Sequence, residues 1–296
     1  MKCLLLFSLL SLTEAAIAAE PLRTLAFERD DGIYVAHANG KDAHKVAAGN
    51  YPDISPDGKR VAFTTNEAGA PKITRHVAIV EAAGGKEKIL QGISSDNSFG
   101  PKWSPDGSRL LFNTFEGKNW QLGLINADGS AYRIVKKGAS DGQFFSSPTW
   151  GADGKSFFCQ DMTAIYHFDL AGQELQQWKV EKLTQGSTMN SGSGLSASTD
   201  GKSLLFEVDL ATEHSRKDWD GPQPAIWVLN MGSGTAQRIS GKAIFATAPV
   251  SSGADSYLCT VHLEKDMHPA IYQGAVNGKS WELVVKNANN ASLSVR

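Results

Sequence analysis

The chain is predicted to fold as an all-β, six-bladed β-propeller of four-stranded antiparallel blades, closed by its C-terminal strand. Three observations carry that expectation. A Ser-Pro-Asp-Gly turn recurs at a nearly constant interval. An apolar strand followed by a glycine-bearing turn occurs six times. A spare strand near the C-terminus answers a missing first strand near the start.

The turn series begins with Tyr51-Pro52-Asp53-Ile54-Ser55-Pro56-Asp57-Gly58-Lys59-Arg60-Val61-Ala62-Phe63. A second copy runs from Gly100-Pro101-Lys102-Trp103 through Asp106-Gly107 to Phe112. A third passes Pro148-Thr149-Trp150 and Asp153-Gly154, a fourth Asp200-Gly201, and a worn fifth starts at Pro249. Asp57, Asp106, Asp153 and Asp200 lie 49, 47 and 47 residues apart. Proline presets φ early in such a turn and glycine supplies the position where φ is often positive. The residues that follow alternate apolar and polar, which is strand chemistry. Asp57, Gly58, Asp106, Gly107, Asp153, Gly154, Asp200 and Gly201 are therefore read as structural turn residues.

The second landmark is Ile33-Tyr34-Val35 before Asn39-Gly40, then Val77–Val80 before Gly84-Gly85, Leu122–Ile125 before Asp128-Gly129, Ile165–Phe168 before Ala171-Gly172, Ile226–Leu229 before Gly232-Ser233-Gly234, and Ile271-Tyr272 before Asn277-Gly278. Asn-Gly and Asp-Gly are strong hairpin signals. A fourth strand follows each turn, as in Tyr132–Val135 and Trp281–Val285. Four strands, A to D, in about 46 residues repeated six times is propeller arithmetic. The first unit has B, C and D strands (22–27, 33–36 and 45–47) but no A strand. The spare segment Ala291–Val295 is expected to supply it and leave the ring no open edge.

Residues 1–18 carry Lys2, an apolar run from Leu4 to Leu12 and the small-x-small signal Ala16-Ile17-Ala18, the pattern of a secretory signal peptide. The propeller is assigned to 19–296. Cys3 lies too early for a lipoprotein cleavage point, so a soluble exported monomer, periplasmic or secreted, is expected. An oxidising compartment would permit a disulfide between Cys159 and Cys259. They fall late in strand B of blades 4 and 6, however, with a blade between them, which exceeds the reach of a bridge. Two buried free thiols are expected.

The formal net charge is −2, with 41% hydrophobic and 20% charged residues. That composition supports a packed core and disfavours wholesale disorder. Without a basic run, nucleic acid is not an expected partner. Past the leader no apolar run is long enough to span a bilayer.

The unit Pro101–Phe112, with its Trp-Ser-Pro-Asp-Gly core and an Ile-Tyr-rich third strand, resembles the PD40, or WD40-like, repeat of the TolB propeller family. The resemblance covers about residues 22–296. It implies a six-bladed periplasmic propeller that binds an envelope protein or peptide over the mouth of its channel. TolB itself carries an α/β domain before the propeller, whereas here the repeats start close to the cleavage signal. The same repeats occur in oligogalacturonate lyases and in prolyl-peptidase-like enzymes.

The A–B and C–D turns are short and uniform and are assigned to one face. The B–C and D–A loops vary and are assigned to the other, where function is expected. The B–C loop of blade 5, Asp209 to Pro224, is the longest. It offers His214, Arg216, Trp219 and Asp220, either for recognition of a polar partner or as a solvated insertion with Trp219 folded back on its blade. The D–A loop from Thr184 to Gly194 places Asn190 by the channel mouth. Other D–A loops offer Asp96, Asn97 and Phe99, then Asp141, Gln143, Phe144 and Phe145.

Enzymatic readings find weaker support. Gly138-Ala139-Ser140-Asp141-Gly142 matches a nucleophile elbow as text, but the elbow needs an α/β strand-turn-helix. His262 and His268, with Asp266 between them and His214 and His76 on the same face, are the residues from which a metal site would be built. The resemblance to the lyases implies histidines at the starts of inner strands, where this chain has Pro52, Pro101, Pro148 and Pro249. Paired carboxylates occur at Asp30-Asp31 and at Asp218 with Asp220, without a separation that sequence can define. Trp103 and Trp150 are expected to pack between blades. The preferred expectation is a non-enzymatic propeller without cofactor or metal that binds protein or peptide through the variable face. The alternative is a carbohydrate-binding or carbohydrate-active propeller, with an oligosaccharide on that same face.

Overall fold

Ser55, Asp57 and Gly58 show how the repeat makes a turn. Ser55 Oγ donates to Asp57 Oδ1 at 2.6 Å, Gly58 N donates to Ser55 O, and Gly58 takes φ of 72°. Ser104 with Asp106 and Ser198 with Asp200 repeat the hydroxyl–carboxylate bond at 2.5 and 2.6 Å. In blade 4 glycine replaces the serine, and Ser156 Oγ donates to Asp153 instead. Gly107, Gly154 and Gly201 sit at φ of 70°, 63° and 69°, a region closed to most side chains. The Ser104 hydroxyl, foremost, pulls the Asp106 carboxyl down to about 2.

These turns join the first two strands of each blade in a computed structural model that describes residues 23–66, 74–138, 142–210, 216–263 and 268–295. Six four-stranded antiparallel sheets follow one another around a ring. The inner strands are Asn50–Ile54, Ser98–Trp103, Ser146–Trp150, Leu195–Ala197 and Ala246–Ser251 for blades 2 to 6. Blade 1 takes its inner strand from the far end of the chain: Asn289–Leu293 pairs antiparallel with Thr24–Arg29, Leu25 opposite Leu293. The closing strand thus begins two residues earlier than the sequence suggests. A five-residue helix, Val180–Thr184, interrupts the long connection between blades 4 and 5 and buries Val180. The leader assigned to residues 1–18 lies outside the described residues.

The core is a ring of six apolar clusters, each sandwiched between neighbouring blades. Phe27, Phe63, Phe112 and Phe206 are fully buried, and each lies in one of these interfaces or at its edge. The Leu111–Phe157–Phe168 cluster between blades 3 and 4 and the Phe158–Phe206–Leu229 cluster between blades 4 and 5 show the pattern. Cys159 and Cys259 are buried and free, on blades 4 and 6 with blade 5 between them. Trp103 and Trp150 bridge blades as expected. Trp103 Nε1 donates to Asp53 O at 3.0 Å and Trp150 Nε1 to Lys102 O at 2.9 Å. Arg60 stacks over Trp103 at 4.5 Å and reaches Gly107 O, and Arg109 does the same with Trp150 and Gly154. The arginine after each turn therefore clamps the next blade, a device confined to blades 2 to 4 because Ser156 and Ser203 stand in its place further on. Among the described residues no helix is long and apolar enough to cross a membrane.

Candidate functional site at the channel mouth

The inner strands share a bulge. Tyr51, Gly100, Ser147, Ala248 and Asn290 all have φ between 48° and 64°, and the first four each precede a proline. The ladder slips at each of these points, between Asn50 and Asp53, Phe99 and Lys102, Ser146 and Thr149, Thr247 and Val250, and, in blade 1, Asn289 and Ser292. Proline is tolerated at such a bulge because no ladder bond is asked of its nitrogen.

Each bulge amide needs an acceptor away from water, and strand B of the preceding blade supplies it. Glu28 accepts from Tyr51 N, Thr64 from Gly100 N at 3.0 Å, Asn113 from Ser147 N at 3.2 Å, Glu207 from Ala248 N at 2.9 Å and Thr260 from Asn290 N at 3.1 Å. At the remaining junction Gln160 instead donates to Asn190 O at 2.8 Å. These six polar side chains are all buried, at one position of the repeat. Burial raises the Glu28 carboxyl and pushes Glu207 up to about 7.

Inside this ring lies a cavity of about 190 Å³ that every blade helps to line. Its wall is largely apolar, with Pro52, Pro148, Leu195, Pro249, Val250 and Ala291. Lys102 is its cation, paired to Asp53 Oδ1 at 3.3 Å. From the edge of the cavity an aromatic series runs outward over blade 3. Tyr51 lies 5.7 Å from Phe99, Phe99 lies 5.3 Å from Trp120, and Trp120 lies 5.2 Å from Phe115. Arg75 sits over Phe99 at 4.0 Å. The arrangement is an apolar hollow flanked by the charged groups of Lys102, Asp53 and Arg75. Among the described residues no group of three His, Cys, Asp or Glu is placed to hold a metal ion.

The sequence-predicted residues fall into separate groups. Asn97 meets the aromatic series, its Oδ1 accepting from Arg75 Nε at 2.7 Å, and Asp96 is exposed beside it. Asn190 is exposed at the rim and donates to Asp209 Oδ2 at 3.0 Å. Arg216, Trp219 and His262 form a cluster of their own. Trp219 packs edge-on against Phe245 at 5.5 Å and lies 4.7 Å from His262. Arg216 is held by Asp218 and by the His262 carbonyl. Trp219 is folded onto the protein, but against Phe245 and His262 at the strand ends of blade 6 rather than back on its own blade 5. Burial, helped by Arg216, drives the His262 imidazole down to about 4. Asp220 is exposed, and His268 pairs with Asp30 at 3.5 Å. Phe144 is half-buried. Phe145 is a correction: it is 3% exposed and packs edge-on against Tyr166 and Phe168, so it is core rather than contact surface. Asp141, His214 and Asp266 lie outside the described residues.

Sequence reasoning missed the six-membered polar ring and most of the aromatic series. The ring did leave a signal: Thr64, Asn113, Gln160 and Glu207 each stand seven residues after a turn aspartate, where a buried strand interrupts its apolar run.

Comparison with known proteins is consistent with this geometry. The family model described as TolB beta propeller domain matches residues 25–217. A Tol-Pal system protein TolB from Anaeromyxobacter dehalogenans is 34% identical over 100 residues, 33% of this chain and 21% of its own length. A Tricorn protease homolog 1 from Streptomyces coelicolor is 38% identical over 95 residues, 31% of this chain and 8% of its own length. The chain therefore spans only a small part of the curated relatives it matches. The crystal structure of TolB from Acinetobacter baumannii superposes with a TM-score of 0.68 at 14% identity, covering 92% of this chain and 66% of that one.

Proposed function

The chain belongs to the TolB β-propeller family, and from that membership we propose that it is an exported, non-enzymatic propeller that binds a protein or peptide of the cell envelope over its channel mouth. The observation that carries the proposal is the mouth itself. It is an apolar cavity that all six blades line, with exposed aromatic groups at its edge. Rigid strands hold the rim, and all five bulge amides are tied to the preceding blade, so little order is lost on binding. Export rests on the leader pattern of residues 1–18.

The experiment compares capture from envelope extract by the protein and by a Ser191→Trp variant. Ser191 is exposed at the rim, so a tryptophan there plugs the mouth without disturbing a core. The expected result is a protein cross-linked to the wild type and lost from the variant, with circular dichroism unchanged. Equal capture by both, or capture by neither, overturns the reading.

A further inference from the structure

Resting on the channel-mouth reading, we propose that the mouth selects an extended peptide in which a bulky apolar side chain lies close to a carboxylate, the apolar group entering the cavity and the carboxylate engaging Arg75.

The aromatic series provides the first half of this site. Tyr51 and Phe115 are 46% and 38% exposed, unusual for large apolar groups on this molecule, and Phe99 and Trp120 connect them into one surface. Tyr51 and Phe99 also line the cavity, so the surface begins where the mouth ends.

Arg75 provides the second half. Its guanidinium carbon lies over the Phe99 ring, 4.0 Å from its centre, and 5.2 Å from the centre of Trp120, and Nε is fixed on Asn97 Oδ1. No carboxylate pairs with it among the described residues, and its terminal nitrogens make no described hydrogen bond. The acid next to it along the backbone, Asp96, meets Arg75 through its carbonyl, which accepts from Arg75 N at 2.9 Å. Glu116 is engaged by Ser94 and Tyr132, and Asp53 by Trp103, Lys102 and Ser292. A planar guanidinium held by stacking, with its outer N–H groups unspent, is a fork shaped for a carboxylate. Arg75 stacks on a ring that is itself part of the cavity wall. At about 3.3–3.6 Å per extended residue the carboxylate therefore belongs about one or two residues from the apolar anchor.

A peptide fits better than a sugar. A sugar stacks on open aromatic faces, and Arg75 covers that of Phe99, the ring that joins the cavity to the outer aromatics, which leaves Tyr51 as the open ring at the cavity. A sugar also carries a hydroxyl on nearly every carbon, and the stretch of wall made by Pro52, Pro148, Leu195, Pro249, Val250 and Ala291 offers those no side-chain partner. Beyond Tyr51, the polar side chains of the wall are Lys102, Asn113, Ser147, Ser191 and Asn290.

The test selects a random peptide library, displayed on phage, against the intact protein. Affinities of the enriched peptides are then measured by Trp fluorescence for the wild type, Arg75→Gln and Arg75→Lys. The expected sequences carry Asp or Glu within two positions of an aromatic or large aliphatic residue. Amidating that acid weakens binding to the wild type by about tenfold and leaves binding to Arg75→Gln nearly unchanged, the signature of a direct pair. Arg75→Lys, which keeps the charge and loses the fork, recovers only part of the affinity. Enrichment of peptides without an acid, equal affinity for Arg75→Gln, no enrichment, or binding of an acidic oligosaccharide in place of peptides overturns the proposal. An envelope partner lost with Ser191→Trp but retained by Arg75→Gln removes this inference and leaves the binding function standing.

Discussion

The carboxyl group of Glu207, on strand B of blade 5, accepts the backbone amide of Ala248, on the inner strand of blade 6, at 2.9 Å. Titratable groups, Glu28 and Glu207, thus close two of the six blade junctions, and neutral Thr, Asn and Gln side chains close the other four. Burial raises the Glu207 carboxyl from its ordinary 4.5 to about 7, against the opposing pull of the Ala248 and Gly194 amides. Such a group holds its proton more tightly in the folded chain than in the unfolded one. Its contribution is full below pH 4.5 and is lost as pH rises through about 7.

Glu207→Gln keeps an oxygen for the Ala248 amide and cannot ionise. Guanidinium unfolding of wild type and variant is expected to give similar stabilities near pH 5. The variant then gains progressively, by up to about 3 kcal/mol near pH 8. A difference that stays flat across this range would show that Glu207 does not titrate within it.

Thr64 tests the ring where no charge intervenes. Its hydroxyl is buried and accepts from Gly100 N at 3.0 Å. Thr64→Val has nearly the same shape and leaves that amide without an acceptor, a loss worth about 1–3 kcal/mol. Thr235→Val, on an exposed outer strand, is expected to stay within about 0.5 kcal/mol. Equal melting temperatures for the two variants would remove the ring from the account of blade docking.

The turns and the strand count were legible in the sequence because their chemistry is local. Ser55, Asp57 and Gly58 bond within four residues, and the period of the blades follows from repeating them. Ring closure was legible because a missing strand and a spare strand are both visible as patterns. The contact surface was not. Trp219 takes its direction from Phe245 and from the bond of Arg216 to a carbonyl 46 residues away, and no spacing encodes either. Phe145 reads like Phe144, yet the backbone turns one into the core and leaves the other half-buried. Arg75 was overlooked because its meaning lies in Phe99 and Trp120, which reach it only after two blades have packed.

Ring closure makes its own prediction. Ser292 Oγ accepts from Ile54 N and donates to Asp53, both at 3.0 Å, and Arg23 reaches the carbonyls of Ser294 and Ser252 at 2.6 Å each. One short strand therefore ties blades 6, 1 and 2. Truncation after Ala288 exposes the edge of a strand whose Leu25 and Ala26 are fully buried, and such an edge templates association. Light scattering after size exclusion is expected to show a monomer for the full chain and soluble oligomers or precipitate for the truncated one. A synthetic peptide of residues 287–296 is expected to restore the monomer. A truncated chain that stays monomeric with an unchanged melting temperature would mean that the closing strand contributes little.

The thiols test the blade interfaces directly. Cys159 and Cys259 each precede a ring residue, Gln160 and Thr260, and both are fully buried. Burial raises both thiols well above their ordinary range, so the reactive thiolate is scarce even when solvent reaches them. Ellman's reagent is expected to find no fast-reacting thiol in the native protein. After unfolding in guanidinium without reductant it should find two in a chain cleaved after Ala18, and three where Cys3 is retained. The count thus reports leader removal and the absence of a disulfide together. Rapid labelling of the native protein would mean that the interfaces holding Cys159 and Cys259 open easily. An unfolded, unreduced chain with no reactive thiol would mean that the two cysteines meet across blade 5, which a closed ring of six blades does not allow.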